Sequence, residues 1–332
     1  MRERPTGTTR RRYSVYLRVG FALVLILVIL QIIDLDDVIR SIVRSDWRYV
    51  PLIIALALVD RYLMAYKWAM LMRARGIIIS NIEAFSIYIA SGFVGAFLPL
   101  GVGADFFKLT RTSLGGASFN EVTASIFMER VLGLVAIAVL AIAGLSFILL
   151  DNKTQFLGFY YFAWIALTTT LTLLYLSTRS STSSWVASRA TRLTKYRLTR
   201  MILDSYRAYA QLGGQQKILA WFFLLSLVEH CILCLLNIAG ARSLGFRVHA
   251  VYFFAIVPLS SLLGALPISI QGIGVTEGLY IVLFSLAGMS SNQSLSLALY
   301  MRAMGLLMLT PGAIIFLTDF VRLRRLHNQG KS

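Results

Sequence analysis

The sequence has 332 residues, of which 58% are hydrophobic and only 14% charged, with a mean hydropathy of +0.73. Soluble domains are nearer half apolar and a quarter charged, so this composition excludes a water-soluble globule and makes lipid the solvent. The net charge of +17 does not indicate a nucleic-acid partner, because no basic–aromatic module accompanies it.

Eight apolar stretches approach the roughly 20 residues that a spanning helix needs. In chain order they are Val15–Ile33, Tyr49–Met72, Ala84–Leu100, Val122–Leu150, Gly158–Leu176, Ile218–Ala241, Val251–Ile270 and Ser294–Phe316. Helices are expected throughout, since backbone in a bilayer must satisfy its own hydrogen bonds. After Ile33 come Asp34, Leu35, Asp36 and Asp37, where a signal peptide would carry small residues. The first stretch is therefore read as an uncleaved span. Cys231 and Cys234 lie in mid-span, which favours core packing over redox chemistry or metal binding.

Positive charge sets the orientation. Three clusters hold 18 of the 32 basic residues: Arg2 to Arg18, the stretch from Arg179 to Lys217, and Arg322 to Lys331. The positive-inside rule puts all three in the cytoplasm. This predicts an inner (plasma) membrane protein with cytoplasmic N- and C-termini and a basic cytoplasmic loop over 178–217. Lys67, Arg73 and Arg75 are expected to snorkel to headgroups near the inner face.

This orientation leaves two stretches that cannot simply cross. Residues 77–121 begin and end inside, and 251–288 begin and end outside. Each contains a helix-breaking turn: Leu98-Pro99-Leu100-Gly101-Val102-Gly103 in the first, and Pro267 to Gly272-Ile273-Gly274 in the second. The expected fold is all-α and polytopic, with six full spans plus two re-entrant helical hairpins in an inverted repeat. The whole chain, 1–332, is one transmembrane domain, with repeat one at about 77–150 and repeat two at about 250–319.

A gapless offset of 172 aligns Asp105–Leu134 with Glu277–Leu306 and gives eight identities, among them Gly116/Gly288, Ser118/Ser290, Asn120/Asn292, Arg130/Arg302 and Gly133/Gly305. Asp105 falls on Glu277. Inverted repeats with broken helices place substrate sites near the bilayer midplane in transporters.

Arg130 and Arg302 are the leading candidates, since an arginine inside a span is costly unless paired or hydrated. Guanidinium groups bind phosphate bidentately, and glycine-rich turns offer N–H groups to anions. Lys108 and Arg111 nearby would suit an anionic lipid headgroup, and Glu129 adjoins Arg130. An equally weighted reading pairs Arg130 with Asp105 and Arg302 with Glu277 to hold each hairpin. The two readings are compatible, because an ion pair can open to accept a phosphate. Asp60–Arg61 and Glu229–His230 either line a polar pathway or are satisfied interior pairs. No nucleophile–base set, metal cluster or P-loop occurs, so neither enzyme activity nor a cofactor or metal is expected.

Three blocks carry a family resemblance: Phe97 to Asp105, Met128-Glu129-Arg130-Val131-Leu132-Gly133, and Leu266-Pro267 through Gly272-Ile273-Gly274 to Glu277-Gly278. They resemble the lysylphosphatidylglycerol synthase membrane-domain family, also called flippase-like proteins, over nearly the whole chain. Ala104 stands where that family often has a second glycine, and Lys108 where it often has arginine. The resemblance implies movement of an anionic or polyprenyl lipid, or a lipid-linked precursor, between leaflets. It does not imply lysyl transfer, because the soluble aminoacyltransferase domain of the bifunctional synthases is not expected here. The alternatives are an accessory subunit of a glycosyltransferase or lipid synthase, docked through the basic loop, and a membrane enzyme using Asp105 or Glu277 as acid or base.

Overall fold

The structure, a computed structural model, describes residues 35–97, 102–179, 197–265 and 273–318. These form eleven α-helices, with no strand among the described residues. They are α1 (Leu35–Val43), α2 (Val50–Ala74), α3 (Asn81–Phe97), α4 (Val102–Leu114), α5 (Phe119–Leu150), α6 (Leu157–Thr178), α7 (Arg197–Gly213), α8 (Gln216–Ser243), α9 (Ala250–Gly264), α10 (Val275–Leu286) and α11 (Ser291–Leu307). Helix α11 continues past a turn at Met308 to Thr318.

The protein is an all-helical, multi-pass membrane protein. Among the described residues five helical runs are long and apolar enough to cross: Trp47–Ala74, Phe119–Leu150, Thr154–Thr178, Gln216–Ser243 and Ser291–Thr318. The first expected span, Val15–Ile33, lies outside the described residues, as do Pro99, Gly101, Pro267 and Gly272.

Helices α3 and α4 have 17 and 13 residues, and α9 and α10 have 15 and 12. At 1.5 Å per residue none reaches the roughly 30 Å of a hydrocarbon core. Within each pair the two helices pack against one another, which gives two hairpins of part-length helices.

Equivalent turns recur through the chain. After α4, Gly116 adopts φ +94° and its neighbours close the helix with bonds from Gly116 N–H to Ser113 C=O and from Ala117 N–H to Thr112 C=O. After α10, Gly288 adopts φ +90° with bonds from Gly288 to Ser285 and from Met289 to Phe284. Each residue lies 172 after its counterpart. This left-handed glycine cap satisfies the last carbonyls of a helix.

The equivalence begins before residues 77 and 250, at α2 and α8. The Asp46 N–H donates to the Ser243 carbonyl at 2.7 Å, where α2 begins and α8 ends. At the opposite ends, Gln215 Nε2 donates to the Ala74 carbonyl at 2.8 Å. The two helices are therefore antiparallel. Asp46 and Gln215 are 169 residues apart, as are Ala74 and Ser243, so each contact is the other's mirror under exchange of the helices, the mark of a two-fold relation.

The stretch read as a basic loop is helical in part, and so is the stretch between the first two apolar runs. The basic stretch over 178–217 contains α7, which packs on α5 and α6 and buries Leu203, Ala208 and Leu212. The stretch Asp34–Arg48 contains α1, whose Val38 packs against Leu295 of α11. Both helices are shorter than a span and amphipathic, so mean hydropathy over a span-length window passes over them.

The largest core cluster joins α5, α6, α8, α9, α10 and α11. Gly144 of α5 packs directly on the α9 backbone at Phe254 and Ala255. Pro258 inside α9 lacks the N–H that would bond the Phe254 carbonyl. Gly312 makes a comparable approach to the Ile89 carbonyl of α3.

Candidate functional site

Each hairpin presents an acid in the first turn of its second helix, where the helix dipole favours negative charge. Asp105 of α4 accepts from Arg130 Nη2 of α5 at 2.8 Å. Glu277 of α10 accepts from Arg302 Nε of α11 at 2.5 Å and from the Gly274 backbone N–H at 2.8 Å. Gly274 itself has φ +79°, a conformation that glycine adopts without a Cβ penalty. Both acids lie 25 residues before their arginines. Each arginine thus ties a hairpin to the following helix, and Arg130 is the more open, with 58% of its side chain exposed against 31% for Arg302.

Around the first pair lies a buried network. Lys108 Nζ bonds Glu129 Oε2 at 2.9 Å and lies 3.6 Å from Asp105 Oδ1. The Tyr88 hydroxyl of α3 donates to Glu129 Oε1 at 2.9 Å. The Lys108 ammonium also sits over the Tyr88 and Trp68 rings, 4.8 and 5.6 Å from their centroids, a cation–π arrangement that favours a desolvated charge. Arg111, in the last turn of α4, also interacts with neighbours. At the positions equivalent to Lys108 and Glu129 the second half carries Tyr280 and Met301, and the Tyr280 hydroxyl donates to Asn237 at 2.9 Å.

A cavity of about 240 Å³ opens between α2, α3, α8 and α11. Its walls are apolar: Ile53 and Ala57 from α2, Ile89 and Gly92 from α3, Leu233 and Leu236 from α8, and Met301, Met304 and Met308. Its polar end holds Asp60, Arg61 and Tyr88. Arg61 Nη2 pairs with Asp60 Oδ2 at 2.8 Å, with Arg61 42% exposed and Asp60 3%. The three methionines share a face of α11, where a flexible thioether adapts to varied apolar shapes. None of Arg130, Arg302, Asp105, Glu277, Lys108, Arg111 or Glu129 lines this chamber; Tyr88 connects it to the Lys108–Glu129 network.

The acid–base dipeptides of α2 and α8 behave differently. Asp60 and Arg61 line the chamber, though only Arg61 is open to it, whereas both Glu229 and His230 are buried. Glu229 Oε2 is held by Lys67 Nζ at 2.5 Å, and the same ammonium donates to Ser226 Oγ at 2.8 Å. Lys67 is therefore not a snorkelling residue. Helix α2 runs on to Ala74, which places Lys67 two turns inside, against α8. The other two cations expected to snorkel also have protein partners: Arg73 donates to the Ile79 carbonyl at 3.0 Å and to Asn81, and Arg75 to Glu121 and to Gln211 at 2.8 Å.

Asp60-Arg61 and Glu229-His230 are themselves repeat equivalents, 169 residues apart. That offset aligns residues 50–76 with 219–245 and matches Leu58-Val59-Asp60-Arg61 with Leu227-Val228-Glu229-His230 and Arg73/Gly76 with Arg242/Gly245. This was the signal that could have raised Asp60 and Arg61 above the other polar residues. Among the described residues no group of three His, Cys, Asp or Glu side chains is placed to hold a metal ion.

A two-fold arrangement of broken-helix units around an amphipathic chamber fits a membrane domain that handles lipid. The chain belongs to the lysylphosphatidylglycerol synthase TM region family, whose sequence profile matches residues 15–312. No curated protein matches the chain.

Proposed function

We propose that this family member moves a lipid with an anionic headgroup, or a polyprenyl-linked precursor, between leaflets and leaves it chemically unchanged. The supporting observation is the chamber between α2, α3, α8 and α11, with apolar walls and a charged pair at one end. Its 240 Å³ lies below the roughly 300–1,000 Å³ of sites that enclose a drug-sized ligand. It suits part of a lipid, with Arg61 meeting the headgroup and the methionine face meeting a chain. Arg130 and Arg302 brace the hairpins, and the exposed guanidinium of Arg130 offers a second contact for phosphate. The basic clusters orient the protein in the plasma membrane with both termini in the cytoplasm.

The test is leaflet exchange of labelled anionic lipid in proteoliposomes. Wild type should exchange lipid above empty liposomes. Arg61→Gln and Gly92→Leu should each lower the rate about tenfold, the effect of losing about 1.4 kcal/mol of stabilisation. A Cβ at Gly92 meets nothing within 4 Å, and Gly92 lines the chamber, so the first carbon of a leucine there enters without a clash and the rest occupies chamber space. Wild-type exchange equal to empty liposomes refutes translocation, and equal exchange in all three proteins refutes the chamber's role.

A further inference from the structure

The offset of 169 that relates α2 to α8 also relates the open chamber to a region around Ser226, Glu229 and His230, all of them buried. Ala57 lines the chamber, and its equivalent Ser226 is fully buried. Asp60 and Arg61 form the polar end, and their equivalents are the buried Glu229 and His230. The chamber is walled by α3 at Tyr88 and Ile89, which are themselves largely buried, and the equivalent residues of α9, Val257 and Pro258, are buried as well. Leu236 lines the chamber, while its equivalent is Lys67, the residue that bonds Glu229 and Ser226.

His230 is the residue that close packing alone does not explain. Its side chain is 9% exposed, its Nδ1 is 3.6 Å from Glu229 Oε1, and it lies against the Gly133 backbone of α5. Its ring nitrogens make no well-formed hydrogen bond, having only Glu229 Oε1 and the Gly133 backbone as polar neighbours. A buried polar group so weakly partnered costs free energy, which a better partner in another conformation would recover. Its equivalent, Arg61, faces an open cavity.

We infer that the protein holds a second chamber around Ser226, Glu229 and His230, closed here by Lys67, and that opening it closes the chamber at Ala57, Asp60 and Arg61. The ligand assigned to it, the anionic headgroup, rests on the proposed translocation; the chamber itself does not. Both chambers use the α2–α8 pair as one wall; the open one takes its other walls from α3 and α11, and the second takes them from their equivalents, α9 and α5. Rocking the hairpins against that pair, the motion inverted repeats permit, exchanges the two environments. In the second state His230 gains a better polar partner than Glu229 and the Gly133 backbone offer here.

The experiment uses the full chain in nanodiscs, with Cys231→Ala and Cys234→Ala removing the native thiols. Ala57→Cys or Ser226→Cys is then labelled with a water-soluble maleimide. In the otherwise unaltered protein position 57 should label fast and position 226 slowly. The paired substitution Lys67→Met with Glu229→Gln removes the latch without leaving a lone buried charge. It should speed labelling at 226 about tenfold, the shift from losing a contact of about 1.4 kcal/mol, and slow labelling at 57 in step. If the paired variant does not fold, Lys67→Gln with Glu229→Gln, which leaves no lone charge and keeps a neutral hydrogen bond across the latch, should move both rates in the same directions by a smaller factor. Faster labelling at 226 with 57 unchanged, or no change at either, overturns the inference. Labelling is read without lipid movement, so reciprocal labelling in a protein that exchanges no lipid would keep the second chamber and remove only its assigned ligand.

Discussion

Gly144 is where α5 meets α9 backbone to backbone, and Gly144→Ala tests how much of the fold depends on that approach. A methyl added there would lie 2.5 Å from the Phe254 carbonyl carbon and 2.6 Å from the Ala255 nitrogen, against the Phe254 oxygen as well. Ordinary contacts are about 3.5–4.0 Å, so the helices would have to separate by about 1 Å along the largest core cluster. Overpacking of this kind costs about 1–3 kcal/mol. Gly133→Ala, on the same helix with nothing within 4 Å of the new methyl, should instead stabilise by about 1 kcal/mol through helix propensity. The two variants should therefore differ by roughly 2–4 kcal/mol, or about 5–10 °C in apparent melting temperature. Thermal unfolding of both purified proteins in one detergent reads the difference. Equal melting temperatures would refute the close approach of α5 and α9.

The buried Lys67–Glu229 pair gives a second expectation. Lys67→Met alone strands a carboxylate and should destabilise by about 3–5 kcal/mol, while the paired neutral variant should be near wild type; equal melting temperatures for the two would show that the pair is not desolvated. Glu277→Ala removes the acceptor of both Arg302 and the Gly274 N–H. It should cost about 2–4 kcal/mol as two charge-assisted bonds are lost, seen as faster proteolysis near α10, and a proteolysis rate equal to wild type would count against the bracing role.

The spans were legible because twenty apolar residues leave a helix few alternatives. The acid–arginine pairs were legible because Asp105, Arg130 and their equivalents share one gapless offset, so two charges in each half could be matched by counting. The chamber was not. The offset changes from 172 to 169 across the hairpin turns, which breaks a gapless comparison at the point where α2 and α8 would have joined it. Those helices are also filled with interchangeable apolar residues, so the matched dipeptides Asp60-Arg61 and Glu229-His230 read as isolated charges. Lys67 could not be placed from sequence at all. Whether a lysine near a span's end snorkels or turns inward depends on what the neighbouring helix offers, and here α8 offers Ser226 and Glu229.

That lysine also breaks the symmetry between the halves. Each half has an acid followed by a base in its first helix, yet only the α8 acid is held by a residue from the opposite helix. The equivalent of Lys67 is Leu236, which lines the open chamber. If Lys67 is what holds the second chamber shut, the same residue at the equivalent position should act on the first, which predicts the effect of Leu236→Lys. An ammonium there reaches toward Asp60 as Lys67 reaches Glu229 and should latch the open chamber. A charge-assisted bond of about 1.5–3 kcal/mol corresponds to roughly a ten- to hundredfold shift in population. Maleimide labelling of Ala57→Cys should slow by at least the lower figure. Unchanged or faster labelling would mean that added charge beside Arg61 only hydrates the chamber, and that Lys67 is a consequence of the closed packing and not its cause.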